Sequence, residues 1–280
     1  MIDRVNIKPA LRGGCLEHPM RIIRVAYANT SFYARLEDRQ VICLDRSKGL
    51  NDPLPLDQVA LLPLAVPTKI ICLGMNYKAH AEELGRPMPE EPLIFLKAPS
   101  SVCRSGDAII MPTDVGRVDF EGELALVMGR QGRHIPAEQA PEFVFGYTCA
   151  NDVTARDLQN KDGLFARAKG FDTFCPVGPW IETEPPDIDN LAVTTMVNGE
   201  TRQQGSTSDM AFSPAQIVSF ISRIMTLMPG DIILTGTPPG IGPLQPGDEV
   251  AVDIEGIGRL INPVLEEQTG SGDAPGGPVQ

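Results

Sequence analysis

The chain has 280 residues, 42% hydrophobic and 21% charged, with 24 Lys and Arg against 36 Asp and Glu and a formal net charge of −12. That balance argues against a nucleic-acid or anionic-membrane partner, because neutralising phosphates takes clustered Lys and Arg. It also requires any site for an anionic substrate to bring its own cations or a metal. No apolar run is long enough to span a bilayer, residues 1–19 have no signal-peptide core, and the six cysteines contain no C-x-x-C pair. The expectation is a cytoplasmic protein with reduced, mostly buried thiols. Few aromatics beside 27 Gly and 26 Pro favour a turn- and strand-rich architecture.

In chain order, residues 1–19 show no period and read as an extension with little role in the fold. Residues 21–27 read as the first strand, and 32–36 and 40–44 alternate as two more. Residues 1–66 are thus predicted to be an extension plus a small β-rich unit, closing in a loop-like stretch with Pro53, Pro55, Pro63 and Pro67. Residues 67–266 form the larger unit. It opens with a buried strand over 69–74, followed by a helix over 76–84 with Asn76 as its cap, stopped by Gly85 and Pro87. Residues 213–226 are predicted to be an amphipathic helix with Pro214 at its first position. Residues 227–259 are strand territory, with Pro-Gly-Asp turns at 229–231 and 246–248. Residues 267–280, rich in Gly, Pro and Ser, are expected to be a disordered tail.

Chemistry concentrates in the larger unit. The segment Asp119-Phe120-Glu121-Gly122-Glu123-Leu124-Ala125-Leu126-Val127 reads as a strand that places Glu121 and Glu123 on one face and Leu124 and Leu126 on the other. Two carboxylates about 7 Å apart along a strand repel each other unless a positive charge sits between them. Alone, such a pair is a solvated polar face; the neighbouring residues point further. If the segment from Asp152 is helical, Asp152, Arg156 and Gln159 fall at i, i+4 and i+7 on one side. They would offer a carboxylate, a cationic fork and an amide. With no His or Cys among them, the three carboxylates favour Mg²⁺ or Mn²⁺ over Zn²⁺. His80 and Glu83 are neighbours at i and i+3, which suits an oriented general base, although an exposed polar pair has the same spacing. Lys169, among small and turn-forming residues, would otherwise pass for a surface lysine. The loop from Thr235 to Gly242 offers backbone N–H groups and the Thr237 hydroxyl to a carboxylate, and it lacks the phosphate-loop pattern.

Several segments together resemble the fumarylacetoacetate hydrolase family over roughly residues 68–264. They are Gly74-Met75-Asn76-Tyr77-Lys78-Ala79-His80, Phe95-Leu96-Lys97-Ala98-Pro99-Ser100, Asp119-Phe120-Glu121-Gly122-Glu123-Leu124, Asn151-Asp152-Val153-Thr154-Ala155-Arg156-Asp157, Ala168-Lys169-Gly170-Phe171-Asp172 and Thr235-Gly236-Thr237-Pro238. The resemblance implies an α+β, β-rich fold: a mixed β-roll catalytic domain with the small β-rich amino-terminal unit of the family's short form, assembled as a homodimer. It implies Mg²⁺ or Mn²⁺ on Glu121, Glu123 and Asp152. It implies catalytic His80 and Glu83 on a lid helix, catalytic Lys169, and substrate contacts from Arg156, Gln159 and Thr237. Lys97 occupies a motif position without an assigned role. The implied reaction is carbon–carbon cleavage in a small, acylpyruvate-like 2-oxo acid through its enolate, by hydrolysis or decarboxylation. The alternatives are isomerisation of a 2-hydroxyhepta-2,4-diene-1,7-dioate-type substrate, or a non-catalytic metal–carboxylate binding module on the same fold.

Overall fold

A two-residue turn at Ala28–Asn29 joins β1 (Arg21–Tyr27) to β2 (Thr30–Glu37), and another at Asp38–Arg39 joins β2 to β3 (Gln40–Cys43). All four turn residues have positive φ, the conformation whose twist matches the flanking strands of a tight hairpin. The computed structural model describes residues 20–268. The readings of residues 1–19 as an extension and of the tail from residue 269 onward lie outside the described residues.

The three strands do not close on themselves. β1 pairs with β14 (Cys175–Glu182), so the amino-terminal strands continue a 12-stranded sheet that runs through the larger unit. They are joined by β4 (Leu54–Pro55) beside β3 and β5 (Ala60–Leu62) beside β1. Beyond β14 the order is β12 (Val144–Asn151), β11 (Gly122–Met128), β17 (Ile232–Leu234), β6 (Ile70–Gly74) and β7 (Leu93–Lys97), with β8 (Val102–Arg104) added to β14. A five-stranded sheet is ordered β16 (Glu200–Ser206), β15 (Ala192–Val197), β19 (Glu249–Ile254), β20 (Gly258–Glu266), β9 (Ile109–Met111). A small third sheet holds β13 (Thr154–Ala155), β10 (Val118–Phe120) and β18 (Gly242–Pro243). Helices are few and short: α1 (Lys78–Glu83), α2 (Ala140–Phe143), α3 (Arg156–Asp162), α4 (Ala166–Lys169) and α5 (Pro214–Ile224). The fold is α+β and β-rich, as expected, and none of its described helices is long and apolar enough to cross a membrane.

The centre of the large sheet is buried on both faces. Ile70, Ala125, Val127 and Ile232 pack on one side with Ile22 and Ile181. Ile71, Leu126 and Ile233 pack on the other beneath Ile217, Val218 and Ile221 of α5. Near-continuous apolar runs are what a two-sided burial demands. Helix α5 starts as predicted, with a Ser213–Gln216 capping box and Pro214 in its first turn. Leu124 turns instead to a third cluster with Val193, Val252 and Leu260, so β11 is packed by both large sheets.

The turn before β17 is held by Asp231, which is fully buried. Its carboxylate accepts from the Thr68, Lys69 and Met228 N–H groups and the Thr68 hydroxyl, and pairs with the Lys69 ammonium. These bonds fasten the start of β17 to that of β6, its parallel neighbour. Asp231→Ala leaves several part-buried donors without an acceptor and is expected to cost about 1–3 kcal/mol of stability, read from the denaturant midpoint at unchanged slope.

Candidate active site and metal centre

The predicted strand over Glu121 and Glu123 is interrupted at Glu121. There the chain leaves β10 in the small sheet and enters β11 in the large one. Glu121 sits at the crossover, its N–H donating to Asn151 Oδ1 at 2.9 Å and its carbonyl accepting from the Asp152 N–H at 2.8 Å. Gly122 follows because a side chain would strike Thr195, whose Oγ1 lies 2.0 Å from where a Cβ would stand. The two glutamates and Asp152 are all buried, and one carboxylate oxygen from each lies within 4.8 Å of the others.

The helix expected from Asp152 starts later. Asp152 lies in extended chain between β12 and β13, and α3 begins at Arg156. Arg156 and Gln159 are therefore i and i+3 on one helix, while Asp152 reaches the group from the end of a strand. The backbone of this stretch is already committed, since the Asp152 N–H bonds Glu121 and the Arg156 N–H bonds Arg117. Tertiary strand pairing overrides the local helical pattern.

Three cations serve the carboxylates. Lys169 donates to Glu121 Oε2 at 2.8 Å and Asp152 Oδ2 at 2.6 Å, and Lys97 donates to Asp152 Oδ1 at 2.5 Å. Arg156 pairs with the remaining Glu121 oxygen, with Asp119 at 2.8 Å and with Gln159 at 2.5 Å. Lys169 is no surface lysine: it is 3% exposed. Burial works to discharge it, but Asp152 and Glu121 hold it protonated above the ordinary lysine range. Burial likewise raises the Glu121 carboxyl, but Lys169 and Arg156 outweigh it and bring Glu121 down to about 2. Glu123 has no such cation within hydrogen-bond reach among the described residues. Burial, then repulsion from Asp152 and Glu121, pushes its carboxyl well above the ordinary range, and the Lys169 charge and the Gly236 N–H at 2.6 Å only partly oppose this. Gly236 itself has φ +94° and lies against Asn76, where a Cβ would come within 2.9 Å of the Asn76 side chain.

Asn76 does not cap the helix as predicted. Its amide bonds the Phe212 backbone and the Thr235 carbonyl, and α1 starts two residues later behind Tyr77 with no side-chain cap. The helix carries His80, buried, with Nδ1 at 2.9 Å from Glu83. The other Glu83 oxygen accepts from the Gly240 N–H at 3.0 Å, which ties α1 to the loop after β17. Thr237 stands on that loop, but its hydroxyl is engaged: it donates to the Gly122 carbonyl at 2.8 Å and accepts from Gln203 at 2.7 Å.

A cavity of about 170 Å³ gathers His80, Glu121, Glu123, Arg156, Gln159, Lys169 and Thr237. Asp152 stays behind its wall, and Glu83 lies outside it. Leu73 and Phe95 supply apolar surface, with the Phe95 ring 5.0 Å from the Lys169 ammonium. Three further residues escaped sequence reading. Asp119 is fully buried between Arg117 and Arg156; it stood in plain view beside Glu121. Lys97 carried only its motif position. Gln203, which bridges the Gly122 N–H, Thr237 and the Pro238 carbonyl, gave no signal, because it comes from a distant strand of the other sheet.

A strand-built cavity lined by two buried glutamates, with the buried Asp152 carboxylate clustered against them, offers three hard oxygen donors and is suited to a divalent cation. The donor set fits such an ion: a carboxylate oxygen that accepts one hydrogen bond keeps a lone pair for a metal, and Glu123 needs a cation. The chain belongs to the fumarylacetoacetate hydrolase family, whose C-terminal domain model matches residues 69–265. It is 43% identical over 224 residues to the human mitochondrial oxaloacetate tautomerase FAHD2A, covering 76% of this chain and 71% of that one. Among solved structures, a 5-carboxymethyl-2-hydroxymuconate delta-isomerase from Mycobacterium smegmatis is 43% identical with a TM-score of 0.80, covering 89% of this chain and all of that one. A 2-hydroxyhepta-2,4-diene-1,7-dioate isomerase from Mycobacterium marinum is 40% identical with a TM-score of 0.78, over 89% of this chain and 99% of that one.

The raised Glu123 carboxyl fixes a sign. Its proton must leave before the oxygen can hold a cation, so affinity rises with pH and levels off once pH exceeds the raised value. Titrating Mn²⁺ into the protein at a series of pH values is expected to show this rise, with proton release measurable from the buffer dependence of the binding heat. Glu123→Gln should flatten the profile and weaken binding.

Proposed function

We propose that this chain is a Mg²⁺- or Mn²⁺-dependent enzyme that takes a small 2-oxo acid through its enolate, with Glu121, Glu123 and Asp152 as the metal ligands. The observation that carries this reading is that Glu121, Glu123 and Lys169 line one small cavity with His80, while the buried Asp152 carboxylate stands within 4.8 Å of both glutamates just behind its wall. A cavity this small suits a compact acid better than a drug-sized ligand. The ion would act as a Lewis acid toward the oxygens of the substrate's 2-oxo acid end.

The chain's own groups divide the remaining work. Lys169, fixed by two carboxylates and kept charged, faces the cavity and stabilises negative charge that develops on a substrate oxygen. Arg156 braces Glu121, Gln159 accepts from Arg156, and the two present the rim of α3 to the substrate. Because both hydrogen bonds of the Thr237 hydroxyl go to protein groups, its role is to hold the Gly122 turn as much as to touch substrate. At His80, the Nδ1 contact with the Glu83 carboxylate favours the tautomer with its proton on Nδ1, the one whose Nε2 lone pair is free to take a proton. Nε2 is the base, and Glu83, anchored by Gly240, orients it.

A base there can take a proton from carbon, which tautomerises or isomerises the acid, or from water, which cleaves an acylpyruvate. Proton transfer at carbon is placed first, supported by the names of the tautomerase and isomerase relatives. Cleavage stands second, supported by the oriented His80–Glu83 pair, which equally suits activation of a water.

The test uses the metal-loaded protein with oxaloacetate in ²H₂O, following deuterium at C3 and pyruvate by NMR. Accelerated exchange over a protein-free metal blank supports proton transfer at carbon, while release of acetate and pyruvate from acetylpyruvate, run in parallel, supports cleavage by an activated water. His80→Ala is expected to slow the observed reaction by about 10²–10⁴-fold with metal binding intact. Unchanged rates in that variant would overturn the assignment of the base.

A further inference from the structure

The mouth of the cavity holds one cation that the chemistry above does not use. Arg86 lines the cavity, is exposed, and its guanidinium has no hydrogen-bond or ion-pair partner among the described residues. The other cationic side chains at the cavity are committed: Arg156 to Asp119 and Glu121, Lys169 to Glu121 and Asp152. Lys97, behind the wall, is spent on Asp152.

The backbone fixes where Arg86 stands. α1 ends at Glu83, and Gly85 at φ +62° turns the chain, a conformation that glycine adopts without strain. The Arg86 N–H then bonds back to the Ala81 carbonyl at 2.9 Å. Arg86 is thereby tied to the helix that carries His80, and it shares the cavity lining with Leu84, Leu93 and Asn160. Asn160, also exposed, belongs to α3 and has no side-chain partner among the described residues, so it offers a neutral donor to the same space.

Charge decides what such a mouth selects. A chain of net charge −12 repels a dianion unless a local cation receives it. A guanidinium with a free fork matches a carboxylate with two parallel hydrogen bonds. We infer that Arg86 is a specificity-determining residue that receives the distal carboxylate of a diacid substrate at the mouth, with the 2-oxo acid end inward, and so sets the preference for a diacid over the matching monoacid. This rests on the reading of the inner end given above.

The test compares carbon-matched pairs on the Mg²⁺-loaded protein by calorimetry: oxaloacetate with 2-oxobutyrate, and 2-oxoglutarate with 2-oxopentanoate. The unmodified protein is expected to bind at least one diacid about tenfold or more tightly than its matched monoacid. Arg86→Leu should abolish that preference by weakening the diacid alone, leaving the monoacid and Mg²⁺ affinities unchanged, and Arg86→Lys should restore it in part. No diacid preference in the unmodified protein, or a preference that survives Arg86→Leu, overturns the inference while leaving the inner site standing. Failure of all four acids to bind in the presence of Mg²⁺ overturns the reading of the inner site, and this inference with it.

Discussion

Three carboxylates share one buried corner, and the rest of the structure answers the electrostatic problem they pose. Ionised carboxylates brought this close in a low-dielectric interior repel strongly, so each needs compensation. Lys169 answers for Glu121 and Asp152, Lys97 for Asp152, and Arg156 for Glu121. Glu123 accepts a hydrogen bond from the Gly236 N–H and feels the Lys169 charge from farther off, but no cation pairs with it among the described residues. That asymmetry makes the corner a receiver of positive charge. It is held together well enough to be preformed, and one carboxyl remains poorly satisfied.

Holding such a corner takes rigid supports from several parts of the chain. Glu121 stands where the backbone passes between two sheets, Asp152 at the end of β12, Lys97 at the end of β7 and Lys169 at the end of α4. The strands around them are packed on both faces, so the carboxylates cannot relax apart without disturbing the core. Gln203 and Thr237 close the same logic from behind. They hold the Gly122 turn between the two large sheets, and a side chain at that turn would collide with Thr195.

The opposite wall has a different character. α1 is a helix of six residues, tied down through Glu83 to Gly240 and through the chain at Asn76 to the loop behind Glu123. Its contacts are fewer than those of the strands, as suits an element that admits a substrate. His80 and Arg86 thus reach the cavity from this short helix and the turn after it, while Glu121 and Glu123 reach it from the strand crossover.

Much of this was legible without coordinates. Alternation located the amino-terminal strands, the amphipathic period with Pro214 located α5, and the order of motifs identified the family together with the carboxylates, His80, Glu83 and Lys169. These are local or pattern-level properties, carried by residue type and spacing. Local pattern failed where a long-range bond competed with it. Asn76 has the chemistry of a cap but spends its amide on Phe212 and Thr235. Asp152 reads as the start of a helix but is held extended by its bond to Glu121. Tertiary structure alone decided that Asp119 and Gln203 serve the site, that the Thr237 hydroxyl is engaged, and that Lys169 is buried between two acids. Partners of that kind are more than a dozen residues away in sequence, and only the sheet topology brings their side chains within hydrogen-bond reach.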